Sequence, residues 1–290
     1  MVYNETLIKY DKIVKDSIKE LVDLADKNQK NENDILLVYL NGWKNLEYEE
    51  AFRKSNLSPF IIGPGLLGHC VSSFYEFYDD YRSNIIHKSA ITDETRKTQE
   101  FLKKEQLIVD IELLIYLKFW EADLILFKLF NLVQLATAQD YNWDLQSGFL
   151  GSRRNVIKIE IQKAIETLCP QLYSLIEETY STQIRNAIAH SKYFLSNRMI
   201  HFANKRESKH YKISNIDFDN WEIMFHKIIL LYNHLLLQLD LINQKYIEKA
   251  KDKFYGLSIR IPEKGKLNLD KVFWIKYDDS RKDWNWYRGK

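Results

Sequence analysis

Apolar positions recur at helical spacing along most of the chain, so the sequence predicts a mainly α protein. The longest uninterrupted pattern follows Asp217, a residue type that favours the N-cap of a helix. Its apolar residues recur at intervals of three and four positions and so form one seam. This seam can pack along another helix of this chain or of a partner. The seam comprises Phe218, Trp221, Phe225, Ile228, Tyr232, Leu235, Leu239, Ile242 and Tyr246.

The same periodicity, together with the positions of proline, predicts the remaining helices. They cover about residues 4–28, 66–83, 93–104 and 105–139, a segment marked by Ile157, Ile161 and Ile165, and one that begins after Pro170. Residues 34–64 mix apolar runs with Pro59 and Pro64 and are predicted to be irregular.

Two places change to the pattern that is typical of strands. Met199–Phe202 and residues 211–213 predict a short β-hairpin around a charged turn, and the aromatic segment after Phe254 predicts a small β-rich tail. We therefore predict three regions along the chain. They are an N-terminal helical extension (1–103), a helical domain that includes the hairpin (104–250) and a C-terminal aromatic and basic tail that packs on the helices (251–290).

Composition limits the class of protein further. The chain is 46% hydrophobic and 28% charged, with a net charge of only +2, so attraction to nucleic acid would have to come from local patches. Cys70 and Cys169 lie far apart and predict neither a disulfide framework nor a zinc site. The N-terminus resembles no secretion signal, and charges interrupt the longest apolar run, residues 107–133. We expect a cytoplasmic protein with no membrane span.

Six residues, Arg185-Asn186-Ala187-Ile188-Ala189-His190, carry the clearest chemistry. Histidine exchanges a proton near neutral pH, and arginine stabilises the added charge of a phosphoryl transition state. Asn186 lies one helical turn before His190, where it can orient the imidazole or bind substrate. With RNA the 2′-OH is an internal nucleophile, so this set predicts cleavage to a 2′,3′-cyclic phosphate with neither metal nor cofactor. One histidine is too few for separate acid and base roles, which favours two copies of the chain.

This R-N-x-x-x-H pattern resembles the signature of the HEPN superfamily of helical RNases, in which Arg is followed after four to six residues by His. The resemblance covers about residues 104–250 and implies a homodimeric helical bundle with Arg185 and His190 as catalytic residues and Asn186 as the auxiliary polar one. It also implies an endoribonuclease of bacterial defence or of a toxin–antitoxin pair, with an antitoxin or defence protein as a possible partner. The alternative is a HEPN-type module that dimerises and binds RNA or protein without catalysis, as relatives that have lost activity do.

A basic and aromatic segment follows the motif. Lys192, Tyr193 and Arg198 are its candidate RNA-binding residues, since cations contact phosphates and aromatic rings stack on bases. The alternative is an ordinary charged hairpin with its aromatic rings packed inward. On the preceding apolar helix, Glu121 shares a stripe with Asp110 and Lys128. Glu121 is either a supporting acid of the site or part of a salt-bridged stripe.

Two other patterns are weaker. Arg82 and His87 repeat the Arg–His spacing, but Ser83 replaces the asparagine, and we interpret the pair as structural. The sequence from Gly63 to Gly68 matches G-x-G-x-x-G without the strand–helix alternation of a nucleotide-binding fold. It predicts a tight turn, and a nucleotide-binding enzyme is the least favoured function.

Overall fold

The structure, a computed structural model, is mainly helical. It describes residues 2–40, 43–44, 60–61, 99–142, 153–204, 212–262 and 270–286. The helices are α1 (Val2–Asn28), α2 (Asp34–Leu40), α3 (Gln99–Glu121), α4 (Asp123–Ala136), a mixed segment α5 (Arg153–Asn155, the π-helical Val156–Gln162 and the 3₁₀ turn Lys163–Ile165), α6 (Pro170–Thr179), α7 (Thr182–Ala189) and α8 (Phe218–Lys251). No helix in these ranges is long and apolar enough to cross a membrane.

The strands form small antiparallel sheets. The strands are β1 (Trp43–Lys44), β2 (Phe60–Ile61), β3 (Tyr193–Ser196), β4 (Met199–Phe202), β5 (Asn215–Asp217), β6 (Leu257–Pro262), β7 (Asp270–Asp278) and β8 (Asp283–Trp286). β1 pairs with β2, and two three-stranded sheets have the orders β3-β4-β5 and β6-β7-β8. The β-rich tail that the sequence predicts is therefore confirmed as a meander.

Most predicted helices are confirmed, with two corrections. The predicted boundary near residue 104 does not exist, because α3 runs through it and the chain breaks instead at Ala122, between α3 and α4. Residues 34–40, predicted to be irregular, form α2; nearly all of its side chains are buried, so it has no polar face to produce a periodic pattern. Pro170 does begin a helix, and the seam of α8 is buried along its whole length. The predicted helix over 66–83 lies outside the described residues.

The predicted hairpin is correct in one strand and wrong in the other. β4 matches the prediction, but its partners are β3 and β5, and residues 212 and 213 are in no strand. Asn197 and Arg198 form the two-residue turn between β3 and β4, and both have positive φ, at 51° and 55°. Such turns favour glycine at the second position, so the arginine conceals the turn in the sequence.

The chain forms two compact units. The unit that contains the motif, here called the motif unit, comprises Met1–Leu7, Leu66–Ala122 and Leu175–Ile229, and the second unit comprises the rest. In the motif unit, α3 packs on α7. Its buried aromatic residues lie on α3, on β4, on α8 and beside the start of α7; they are Tyr116, Phe119, Trp120, Tyr180, Phe202, Phe218, Trp221 and Phe225.

In the second unit, the C-terminal sheet is anchored to α8. The buried Trp284 donates from Nε1 to Asn243 Oδ1 at 2.9 Å. Gly256 joins α8 to β6 with a φ of 79°, and a Cβ there would collide with the Ile275 carbonyl oxygen. Only glycine fits both the left-handed conformation and this close approach.

The second unit also contains a buried lysine. Lys128 on α4 donates from Nζ to the carbonyl oxygens of Val38 and Tyr39, at 2.8 and 3.1 Å, near the C-terminal end of α2. These carbonyls lack partners within α2, so the Lys128 amino group caps that helix. Burial lowers the pKa of Lys128 from 10.5 to about 7.

This pKa predicts how the stability of the protein depends on pH. Between pH 7 and 10.5 the unfolded chain binds a proton at Lys128 that the folded chain releases, so the free energy of unfolding rises with pH by up to about 1.4 kcal/mol per unit. Denaturant unfolding between pH 7 and 9 measures this slope, below the range in which tyrosines titrate. Lys128→Met should flatten the slope and exposed Lys118→Met should not. An equal slope in wild type and Lys128→Met would contradict the assignment.

Candidate active site

The motif lies on its own short helix, α7. Ser181 caps the N-terminus of α7, with its Oγ accepting from the Ile184 amide at 3.3 Å. The Ser181 amide in turn donates to the hydroxyl oxygen of buried Tyr116 at 2.9 Å. Burial raises the pKa of Tyr116, so the hydroxyl stays protonated. The start of the motif helix is thereby fixed to α3.

One face of α7 is core and the other is open. Ile184, Ala187 and Ile188 are buried. Arg185 and Asn186 are half-buried, and Ala189 and His190 are exposed. The side chains proposed for chemistry therefore lie at the edge of a packed helix.

α7 ends in a Schellman-type cap. His190 is the C-cap, the Ser191 amide donates to the Ile188 carbonyl at 3.1 Å, and the Lys192 amide donates to the Ala187 carbonyl at 2.7 Å. Ser191 has a φ of 51°, the left-handed conformation in which glycine is the usual residue. The chain reverses at this point and enters β3 directly, so the cap sets the direction in which His190 leaves the helix.

Arg185 is held by an ion pair. Its Nε donates to Glu121 Oε1 at the last residue of α3, and its Nη1 donates to Asn186 Oδ1 at 3.3 Å. The exposed fractions of the two charged side chains are 22% and 30%, so the pair faces solvent on one side. Burial lowers the pKa of Arg185, but the hydrogen bond and charge of Glu121 outweigh it and the net shift is upward. The structure thus places the Glu121 carboxylate against the arginine of the motif. The predicted stripe with Lys128 is wrong, because Glu121 ends α3 and Lys128 lies on the separate helix α4.

His190 contrasts with the other described histidines. The rings of His201, His226 and His234 each have a hydrogen-bond partner, on Ser196, the Glu222 carbonyl and Asp11 respectively. The exposed imidazole of His190 makes none with any residue that the structure describes. Asn186 accepts from Arg185, so it orients the guanidinium.

The three predicted RNA-binding residues differ in their surroundings. Lys192 is exposed, immediately after the motif. Tyr193 is half-buried and donates to Asp110 Oδ1 at 3.2 Å; burial, followed by the Asp110 charge, raises its pKa.

Arg198 is committed to two carboxylates. It donates from Nε and Nη2 to buried Glu105, at 3.1 and 3.0 Å, and from Nη2 to Asp219 Oδ1 at 2.9 Å. The Glu105 hydrogen bond is the main cause that raises the pKa of Arg198. Of the three, Lys192 alone is open for phosphate contact.

Phe194 belongs to the basic and aromatic segment whose rings the sequence suggests for base stacking, but its pairing with His201 on the β3-β4-β5 sheet was not predicted. Phe194 and His201 lie opposite each other across β3 and β4, stacked with ring centroids 4.6 Å apart and an interplanar angle of 10°. Phe194 is 56% exposed. The alternation of side chains along a strand places Phe194 and Ser196 on one face. The prediction paired β4 with residues 211–213, and so it did not place Phe194 opposite His201.

The remaining candidates and the comparisons add no further site. Arg82, His87 and the glycine run from 63 to 68 lie outside the described residues. Within the described ranges, no group of three or more His, Cys, Asp or Glu residues could hold a metal ion. Comparison of the chain with protein-family models, with curated proteins and with solved structures finds no match.

Removal of Glu121 should destabilise the protein. Glu121→Ala leaves the half-buried Arg185 without its carboxylate, and we expect a loss of about 1–2 kcal/mol in the free energy of unfolding. Denaturant unfolding checks this value, with exposed Lys118→Ala on the same helix as a control that changes stability by less than about 0.5 kcal/mol. A double-mutant cycle with Arg185→Ala isolates the pair. A coupling energy near zero would show that the ion pair contributes nothing.

Ser191→Gly should stabilise the protein. Serine pays a steric cost of about 1 kcal/mol at the positive φ of this position, and glycine does not. The larger conformational entropy of glycine in the unfolded chain offsets part of this gain in the free energy of unfolding. A rise in the thermal midpoint relative to wild type is the expected result. Ser191→Val should do the opposite, because β-branched residues are strained at positive φ. Equal midpoints for the glycine and valine variants would contradict the left-handed cap.

Proposed function

We propose that this protein is an endoribonuclease of HEPN type that cleaves single-stranded RNA without a metal ion. The observation that carries the proposal is the arrangement at the edge of α7. A charged guanidinium, steadied by Glu121 and Asn186, shares a short helix with a solvent-facing imidazole. Both groups are accessible, and each is of the type that phosphodiester cleavage by an internal 2′-OH requires.

In the proposed reaction, His190 accepts the proton of a ribose 2′-OH as its oxygen attacks the adjacent phosphorus. The bond from phosphorus to the 5′-oxygen breaks, and that oxygen takes up a proton. The products are a 2′,3′-cyclic phosphate and a 5′-OH end, and no bond to the protein forms. Arg185 binds the non-bridging oxygens, whose negative charge grows in the transition state. Its interaction with Glu121 would be exchanged for one with the phosphate.

The proton for the 5′-oxygen has to come from a second acid. The motif supplies one histidine, so we propose a homodimer in which His190 of a second copy serves as that acid. Activity per chain should then rise with protein concentration until the dimer is complete. A role in bacterial defence or in a toxin–antitoxin pair, with an antitoxin or another defence protein as partner, belongs to this same proposal and rests on the resemblance alone.

One observation favours the second candidate, a non-catalytic module that dimerises and binds RNA or protein. Arg185 already has an acidic partner, as an arginine with a purely structural role would. In that case Glu121 and Arg185 fasten α3 to α7 and His190 is a surface residue. The two candidates differ in a single property, which is whether RNA is cut.

Cleavage of a single-stranded oligoribonucleotide in EDTA tests the proposal. We expect wild type to release fragments with 2′,3′-cyclic phosphate ends, and His190→Ala to lower the rate by about 10²–10⁴-fold. The matched control is His87→Ala, which removes the histidine of the other Arg–His pair and should leave the rate unchanged. An unaltered melting curve for His190→Ala assigns the loss to chemistry. Absence of cleavage by wild type at high protein concentration, with RNA still bound, would leave the binding module.

A further inference from the structure

The sheet that follows the motif has one buried face and one open face. Ile200 and Phe202 of β4 point into the core. On the other face, the register places Phe194, His201 and Asn215 side by side across the three strands. This row puts two rings and an amide on one solvated surface.

The two rings are held against each other. They stack almost in parallel, and the His201 ring is fixed by a 3.0 Å hydrogen bond between its Nε2 and Ser196 Oγ. β3 is the edge of its sheet, so no described strand lies beyond Phe194. One face of the Phe194 ring is covered by His201, and the ring is 56% exposed. The uncovered part of this flat, apolar ring suits another flat ring.

A nucleobase is the ligand that this surface fits best. Single-stranded RNA is recognised through unstacked bases that stack on aromatic side chains, and such stacking tolerates any base because each has a π face. The Asn215 amide beside the rings offers both a donor and an acceptor for a base edge. A duplex does not fit, because its bases are already stacked on each other.

The distance to the motif supports this choice. Ser191, Lys192 and Tyr193 alone separate His190 from Phe194, so their Cα atoms are at most about 14 Å apart. Exposed Lys192 lies between them and can contact the intervening phosphate. A strand held at Arg185 and His190 thus reaches the rings within a few nucleotides.

We propose that Phe194 and His201 form a stacking subsite for an unpaired nucleobase of single-stranded RNA, next to the phosphodiester bound at the motif. The subsite rests on the proposed function for its ligand. It deepens that function because it supplies the preference for single strands that Arg185 and His190 do not provide. Phe194 is the ring that contacts the base, and His201 orders it.

Fluorescence anisotropy with a short single-stranded 2′-O-methyl oligoribonucleotide tests the subsite, since the blocked 2′-oxygen prevents cleavage and leaves binding alone to be measured. Phe194→Leu keeps an apolar side chain without the π face and should raise Kd about tenfold, the change expected from the loss of one stacked base. Phe194→Trp keeps the stack and should hold Kd within about twofold. The matched control is Phe254→Leu, the same change at an exposed phenylalanine of the other compact unit, which should leave Kd unchanged.

The possible outcomes separate this inference from the proposed function. Equal Kd values for wild type and Phe194→Leu, with cleavage intact, overturn the subsite alone. A duplex that competes as well as the single strand also overturns it. An altered sedimentation mass of Phe194→Leu at unchanged Kd would make this face a protein interface and likewise refute it. If wild type neither binds nor cuts RNA, the proposed function fails and the subsite fails with it.

Discussion

Four acidic side chains of α3 hold the segment that carries the motif. Each accepts a hydrogen bond from a different element of that segment, and the pairs are Glu105 with Arg198, Asp110 with Tyr193, Glu112 with Trp221 and Glu121 with Arg185. At 3.6 residues per turn they form two rows, with Glu105 and Glu112 about 20° apart and Asp110 and Glu121 about 20° apart. The first row is buried and the second is half-buried.

The buried row fixes the register of the β3-β4 turn and of the start of α8. A buried carboxylate is tolerated only with a partner, so sliding either element by one residue would separate Glu105 from Arg198 or Glu112 from Trp221 at a cost in stability. The half-buried row has a different consequence. Glu121 still reaches solvent, so the cost of separating it from Arg185 is modest, and a phosphate can replace it. The buried row therefore provides rigidity, and the half-buried row is where the proposed exchange of Glu121 for a phosphate would take place.

The sequence predicts the parts of this structure that depend on residues close together in the chain, and it misses the parts that depend on residues far apart. Helices and the α8 seam follow from local periodicity, and the cap at Asp217 is confirmed, with Oδ1 accepting from the Asn220 amide. The α3–α4 break was missed because neither proline nor glycine marks it and the apolar pattern continues through Ala122. Arg198 and Tyr193 resembled RNA-binding residues because a basic and aromatic segment has the same composition in two cases. Its partners can be phosphates, or they can be carboxylates about 90 residues away in the chain, as here.

The connection between α7 and β3 joins the two halves of the proposed site. Three residues link His190 to Phe194, and all three backbones are fixed, by the left-handed cap at Ser191, the Lys192–Ala187 hydrogen bond and the pairing of Tyr193 with Phe202. A linker this short and this constrained cannot change the spacing between imidazole and ring without unwinding the helix end. The strain at Ser191 is therefore retained by cooperative contacts on both sides of it, and it sets the spacing between the histidine and the proposed stacking ring.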